Sequence, residues 1–246
     1  MIWRDGRHQC SDGSVRSGAN SNRTGGAESA DAPIRRSERT RSALIASARR
    51  VFSRISFHEA KISEIATEAG VAYGSFYTYF DSKEDVFWEV LQCVHAEAFA
   101  FSAGRDLPVN TGAVERIAVN NLHYYEAYRD NARILASFEQ VADSNERFAR
   151  LRAKLRGAYI DRAEAAIRRW QREGLVDASL DAKGIAHALG SMVERLTYMQ
   201  SVFGEGPGSE TRAVDAMNRV WAATLGLESP PLAGAASDRK RRGPAS

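Results

Sequence analysis

Two cysteines and six prolines are all that 246 residues hold of either type, and no apolar run approaches the length of a membrane-spanning helix. Each scarcity excludes something. Two thiols, Cys10 and Cys93, build no disulfide framework, which suits a reducing cytoplasm. Crossing a bilayer takes about 20 mostly apolar residues, so no contact with a membrane is expected. The opening MIWRDGRHQC lacks the apolar stretch of a secretory signal. Nowhere do apolar and polar residues alternate between turn signals, so no sheet is expected, and no fixed-period repeat appears. Phosphate loops, nucleophile elbows, zinc-protease helices and dinucleotide fingerprints are missing; Gly204-Glu205-Gly206-Pro207-Gly208 has the wrong spacing for any of them. Neither an enzymatic activity nor a cofactor is expected.

What the chain does have is helical period. Leu44, Ala48, Val51, Phe52 and Ile55 recur at helical spacing, and Ile62, Ile65, Ala66 and Ala69 repeat the pattern in a short helix that stops at Gly70. A third short helix is expected over 72–79. Ser82 is placed to cap a fourth, reaching about 103: its hydroxyl can take the Asp85 N–H, and Glu84 and Asp85 suit the positive end of the helix. Leu107-Pro108 and Gly112 break the chain. Five more helices are expected over 112–128, 131–142, 145–172, 181–203 and 210–225. Residues 1–33, rich in Gly, Ser, Asn and Arg, read as a disordered tail, and 228–246, with Arg239-Lys240-Arg241-Arg242, as a flexible basic one. The fold class is all-α, with an N-terminal domain over 34–97 and a larger helical domain over 98–227.

The net charge is only +3, but it is unevenly spread. Between Arg35 and Lys61 stand eight basic residues against two acidic ones, Glu38 and Glu59, the footprint left by a polyanionic partner. Two short helices then meet at Gly70-Val71-Ala72, the plan of a helix-turn-helix unit over about 61–80. The stretch Ile62-x-x-Ile65-Ala66, Ala69-Gly70-Val71 and Gly74-Ser75-Phe76-Tyr77-x-Tyr79-Phe80-x-Ser82-Lys83 resembles the TetR family of bacterial regulators, and the run from Ser37 to Glu97 fits that family's N-terminal domain. The resemblance implies a DNA-binding role. It places Tyr73, Gly74 and Ser75 at the groove and Tyr77 and Tyr79 at phosphate, with Ala72 at a DNA-facing position where the family often has Ser and where a hydroxyl contact to the backbone is lost. Thr78 goes to the groove or backbone side, Lys83 to phosphate, and Phe76 and Phe80 inward. A tyrosine suits such work, with a ring for a thymine methyl and a hydroxyl for phosphate or base. Arg39 and Arg41 would belong to an arm, and Lys61 and Ser63 would face the backbone. Position 61 departs from the family's usual Thr or Ser: lysine cannot accept a capping bond, so the cap is missing or moved to another group.

The resemblance also implies a homodimer on a palindromic double-stranded operator, released by a small-molecule effector. Candidate pocket residues are Phe99, Leu122, Tyr124, Tyr125, Tyr128, Phe138, Tyr159, Trp170 and Met192, which suggest a largely apolar effector. Arginines at 129, 133, 147, 150, 152, 156, 162, 168 and 169 would favour an acidic head group if some faced it. The apolar stripes Ile185, Leu189, Met192, Leu196, Met199 and Val214, Met217, Trp221 are candidate dimer faces. His123 and Glu126 share a face but have no third ligand, so no metal site is expected. An activator or ligand-dependent co-repressor of the same fold, and a helical enzyme or adaptor, are the alternatives.

Overall fold

Leu44, Ala48, Val51 and Phe52 are fully buried along one face of the first helix, and the N-terminal half is built around that face. A computed structural model describes residues 31–101, 107–108 and 111–228. Most of the tail expected over 1–33, and the one after 228, lie outside these residues; 31–33 are already helical. The elements are α1 (Asp31–Arg54), α2 (Ile62–Glu68), α3 (Tyr73–Phe76), α4 (Lys83–Phe101), α5 (Ala113–Asp130), α6 (Ala132–Ser144), α7 (Glu146–Arg172), α8 (Ala182–Tyr198), a π-helical turn (Met199–Phe203) and α9 (Glu210–Leu225). No strand occurs among the described residues.

The chain divides into two compact units. The first takes the chain to His95 and adds Arg133–Val141; the second takes Ala96–Ala132 and everything from Ala142. Thus α4 passes from one unit to the other, and the middle of α6 belongs to the first.

In the first unit, α1 packs on Ile65 and Ala66 of α2, Phe76 of α3, and Val86, Phe87, Val90 and Leu91 of α4, all of them buried. Phe52 and Phe57 both meet the Phe87 ring, at 5.0 and 4.7 Å between centroids. Burying one such side chain contributes about 1.5–3 kcal/mol, so this aromatic knot is a principal source of the unit's stability. Lys61 makes no side-chain cap bond; the Glu64 carboxylate reaches back from α2 to accept the Lys61 N–H at 2.8 Å. Ser82 Oγ accepts the Asp85 N–H at 3.2 Å, as its position predicts. The third helix is shorter than expected: after Phe76 the bonds tighten, with Thr78 N–H to Ser75 O and Tyr79 N–H to Phe76 O.

In the second unit, α5, α7, α8 and α9 share one core that includes Ile117, Tyr125, Ile160, Ile167, Trp170, Leu189, Val193, Val214, Met217 and Trp221. Asn121 Nδ2 donates to Asn218 Oδ1 at 2.8 Å inside it. The expected dimer stripes divide by burial. Leu189, Val214, Met217 and Trp221 are buried within this single chain, and Ile185, Met192 and Leu196 pack against the same core; Met199 opens the π-turn, half-buried. An amphipathic stripe first finds its own core. The outer faces carry smaller groups instead: Gly184, Ala188 and Ser191 on α8, and Val220, Ala223 and Thr224 on α9.

One glycine sets the angle between α2 and α3. Gly70 has φ +69, and Val71 N–H reaches back to Ala66 O at 3.0 Å, closing the helix by the usual left-handed turn. A Cβ there would meet nothing within 4 Å, so only the backbone conformation opposes a side chain. Gly70→Ala is expected to lower stability by about 1–2 kcal/mol in chemical denaturation; an unchanged midpoint would show that the turn relaxes without strain.

Candidate functional site

Four residues of α3 and the turn that follows divide cleanly between core and solvent. Phe76 and Phe80 are buried, whereas Tyr73 is 54% and Tyr77 45% exposed. The two phenols are hydrogen-bonded at 2.9 Å and their rings meet edge to face at 5.5 Å, so they form one outward unit. Ala72, Gly74 and Thr78 are exposed around them, and Ser75 and Tyr79 are half-buried. No atom lies within 4 Å of where a Gly74 Cβ would sit, leaving room for close approach of another backbone. Lys61 and Ser63, at the start of α2, are exposed on the surface, as is Arg39 on α1.

Two of the expected cationic contacts are turned inward instead. Arg41 pairs with Glu89 at 2.9 Å and stands 5.1 Å over the Phe80 ring. Lys83 Nζ donates to Phe57 O at 2.6 Å, Ala60 O at 2.9 Å and His58 O at 3.3 Å, and lies 4.5 Å over the Phe57 ring. An ammonium has three N–H donors, and all three serve the loop between α1 and α2. Burial holds the Lys83 amine below its usual range. On the other side of the same loop, Phe57 N–H donates to Ser137 Oγ of α6 at 3.2 Å. Lys83, expected at phosphate, thus makes its hydrogen bonds within the unit. Arg50 and Arg54 are likewise bound to Glu68, each at 2.6 Å, tying α1 to α2. Burial alone would raise the Glu68 carboxyl, but the bonds from Arg50 and Arg54 outweigh it and hold it below the usual carboxylate range.

In the second unit, four of the expected pocket residues form a continuous row of rings. Phe99 meets Tyr159 at 5.4 Å, Tyr159 meets Tyr124 at 5.5 Å and Tyr124 meets Tyr128 at 6.3 Å. The row continues through Tyr198 at 6.4 Å to Phe203 at a further 5.5 Å, two residues that sequence reasoning missed. Burial raises the Tyr124 phenol and pushes Tyr159 up to about 12, so both stay neutral. Leu122, Tyr125, Trp170 and Met192 belong to the shared core. Phe138 is a correction: it lies in the first unit, with its ring 6.0 Å from that of His95. His95 Nε2 is buried without a partner, and burial pushes the imidazole down to about 4.

Most of the arginines expected to favour an acidic ligand are answered by carboxylates. Arg129 pairs with Asp130 and Glu210, Arg150 with Glu146, Arg152 with Asp143, Arg156 with Glu194, Arg168 with Glu164 and Arg169 with Glu173. Arg162 stacks on Phe99 and Tyr159 at 4.1 and 5.2 Å. Among the described residues, no three His, Cys, Asp or Glu come together as metal ligands would, and no helix is long and apolar enough to cross a membrane.

The model of bacterial regulatory proteins of the tetR family matches residues 44–90, and that of the C-terminal domain of the transcriptional regulator EthR matches 117–225. The chain belongs to the TetR family. It is a DNA-binding transcriptional regulator, not an enzyme. It is 29% identical over 160 residues to the uncharacterised regulator YdgC of Bacillus subtilis, covering 64% of this chain and 79% of YdgC. It is 24% identical over 185 residues to EthR of Mycobacterium tuberculosis, covering 74% and 85%. Two solved structures share the fold. A Saccharomonospora viridis transcriptional regulator in complex with choline has a TM-score of 0.66 at 21% identity, covering 77% of this chain and 98% of that one. A transcriptional regulator from Rhodococcus sp. has 0.64 at 18%, covering 77% and 99%. In this TetR-family chain the matched N-terminal segment contains both the outward tyrosines and the inward Lys83.

Two outcomes follow from the geometry. Lys83→Met is expected to cost about 1–2 kcal/mol of stability and to weaken DNA binding without changing its salt dependence; a slope of log affinity against log salt that falls by about one would restore a phosphate contact. His95 must stay neutral when folded, whereas the unfolded chain takes up its proton below about pH 6.5. Stability should therefore drop as pH falls from about 6.5 to 4, by up to about 3 kcal/mol. His95→Leu should flatten that part of the pH–stability curve; an unchanged curve would assign the acid sensitivity elsewhere.

Proposed function

We propose that this chain is a ligand-responsive repressor that binds a palindromic operator as a homodimer, in the cytoplasm where the chromosome lies. The observation that carries the DNA side is the split within 73–80: Phe76 and Phe80 hold the unit together while Tyr73, Gly74, Tyr77 and Thr78 face outward. Tyr73 and Ser75 meet base edges, with Ala72 and Gly74 leaving room, and Tyr77 and Tyr79 meet the sugar-phosphate backbone. Arg39, Lys61 and Ser63 add contacts to phosphate. Two copies are needed because two-fold proteins read two half-sites about one turn apart. The small outer faces of α8 and α9, with Val220 exposed, suit close packing of two chains.

The effector side rests on the aromatic row of the second unit. The choline complex of one structural neighbour supports small-molecule binding in this fold. Because α4 runs from Lys83 in the first unit to Phe101 in the second, a ligand that prefers one setting of α4 shifts the dimer between DNA-binding and released states. An activator or co-repressor would use the same parts with the opposite sign.

The test is a gel-shift titration of the full chain on a duplex enriched by the wild type from a random pool, over a range of salt. Wild type should bind a palindromic sequence with affinity that falls steeply as salt rises. Tyr73→Ala should relax base preference at one position in each half-site by about 1–3 kcal/mol. No enrichment of a palindrome, or an equal loss on every sequence, would reject this reading.

A further inference from the structure

The two outward phenols share one hydrogen bond, and a hydrogen bond has a direction. Tyr73 Oη and Tyr77 Oη stand 2.9 Å apart, and either oxygen is able to donate. The rings meet edge to face at 5.5 Å, and residues four apart lie on one side of a helical turn. Both side chains are exposed. A phenol has one O–H to give and lone pairs with which to accept. The pair therefore holds two hydrogens, spends one between its members and keeps one for DNA.

What the pair touches decides which oxygen keeps the spare hydrogen. A phosphate oxygen only accepts, so the phenol that meets phosphate spends its own O–H there. Its oxygen then receives the internal bond, and the other phenol gives up its hydrogen to make that bond. This second phenol reaches the base edge with lone pairs alone.

Tyr73 is the first residue of α3, and a recognition helix presents its N-terminal residues to base edges. In the major groove, adenine N6 and cytosine N4 carry amino donors. Guanine offers N7 and O6 and thymine offers O4, all of them acceptors. A Tyr73 hydroxyl that only accepts forms a hydrogen bond with adenine or cytosine, and meets guanine or thymine lone pair to lone pair. A tyrosine standing alone carries no such bias, because its hydroxyl turns to donate or accept as the base requires.

We propose that Tyr77, by donating to phosphate and accepting from Tyr73, turns the Tyr73 hydroxyl into an acceptor, so that each half-site carries adenine or cytosine at the position Tyr73 reads. This rests on the proposed placement of Tyr73 at base edges and Tyr77 at phosphate. Tyr77 is then a positioning residue for base choice, although it touches no base.

The test is selection from a random duplex pool, followed by gel-shift titration on duplexes carrying each of the four bases at each half-site position. It uses the full chain as wild type, Tyr73→Phe, Tyr77→Phe and the double variant. Each substitution removes one exposed oxygen, so the variants should melt with the wild type. Wild type should prefer adenine or cytosine to guanine or thymine about 10-fold at one position of each half-site. Tyr73→Phe should abolish that preference or turn it toward thymine, whose methyl suits a bare ring. Tyr77→Phe should weaken binding to every sequence and also reduce the preference at the same position to about twofold or less, since the freed Tyr73 hydroxyl now donates to guanine or thymine. In the Tyr73→Phe background, Tyr77→Phe should weaken all sequences equally. Guanine or thymine selected at the position that Tyr73→Phe alters, or a full preference kept by Tyr77→Phe, overturns the relay and leaves operator binding standing. If the wild type enriches no palindrome, the operator reading itself falls. If Tyr77→Phe melts early, the base that wild type selects at the position altered by Tyr73→Phe decides.

Discussion

The ammonium of Lys83 is the contact on which the DNA-binding unit depends most. The turn from α1 to α2 exposes carbonyls at Phe57, His58 and Ala60 that no helix satisfies, and one cation from the start of α4 collects all three. Ser137 of α6 takes the Phe57 amide from the other side, and the Phe57 ring wedges against Phe52 and Phe87. The direction in which α2 leaves this loop sets where α3 points. A lysine at the end of the recognition motif is thus held inward by the loop before α2, at the start of an element that continues into the second unit.

The two units solve opposite problems with polar groups. The first leaves little unsatisfied around its turn: carbonyls find Lys83, Glu64 takes the Lys61 N–H, and Glu68 gathers Arg50 and Arg54. The second carries unbonded atoms and neutral, desolvated tyrosines.

Much of this was legible in the sequence. The helices over 112–128, 131–142, 145–172 and 210–225 appear within two residues of those limits, because caps and breakers such as Gly112, Asn145, Gly174 and Ser209 mark them locally. The split of Phe76 and Phe80 from Tyr73 and Tyr77 was legible too, since motif spacing fixes which side of α3 each occupies. What was hidden depends on distance along the chain. Spacing says nothing of carbonyls 23 to 26 residues earlier that claim Lys83, or of Glu89, which claims Arg41. An apolar stripe does not reveal whether it faces its own core or a second copy, and Met217 and Trp221, expected at a second copy, are buried in the chain's own core. The π-turn at Met199–Phe203 has the same apolar period as the helix before it, and so the ring contacts of Tyr198 and Phe203 were not foreseen.

The central claim is that the outward residues of 72–79 touch DNA while the loop before α2 is held from within. Amide hydrogen exchange of the full chain, with and without a wild-type-selected duplex, tests it directly. The account predicts that the Phe57 and Ala60 amides exchange slowly in both states, and that duplex slows exchange across Tyr73–Tyr79. Fast exchange at Phe57 without DNA, or no change across Tyr73–Tyr79 on adding it, would contradict the account.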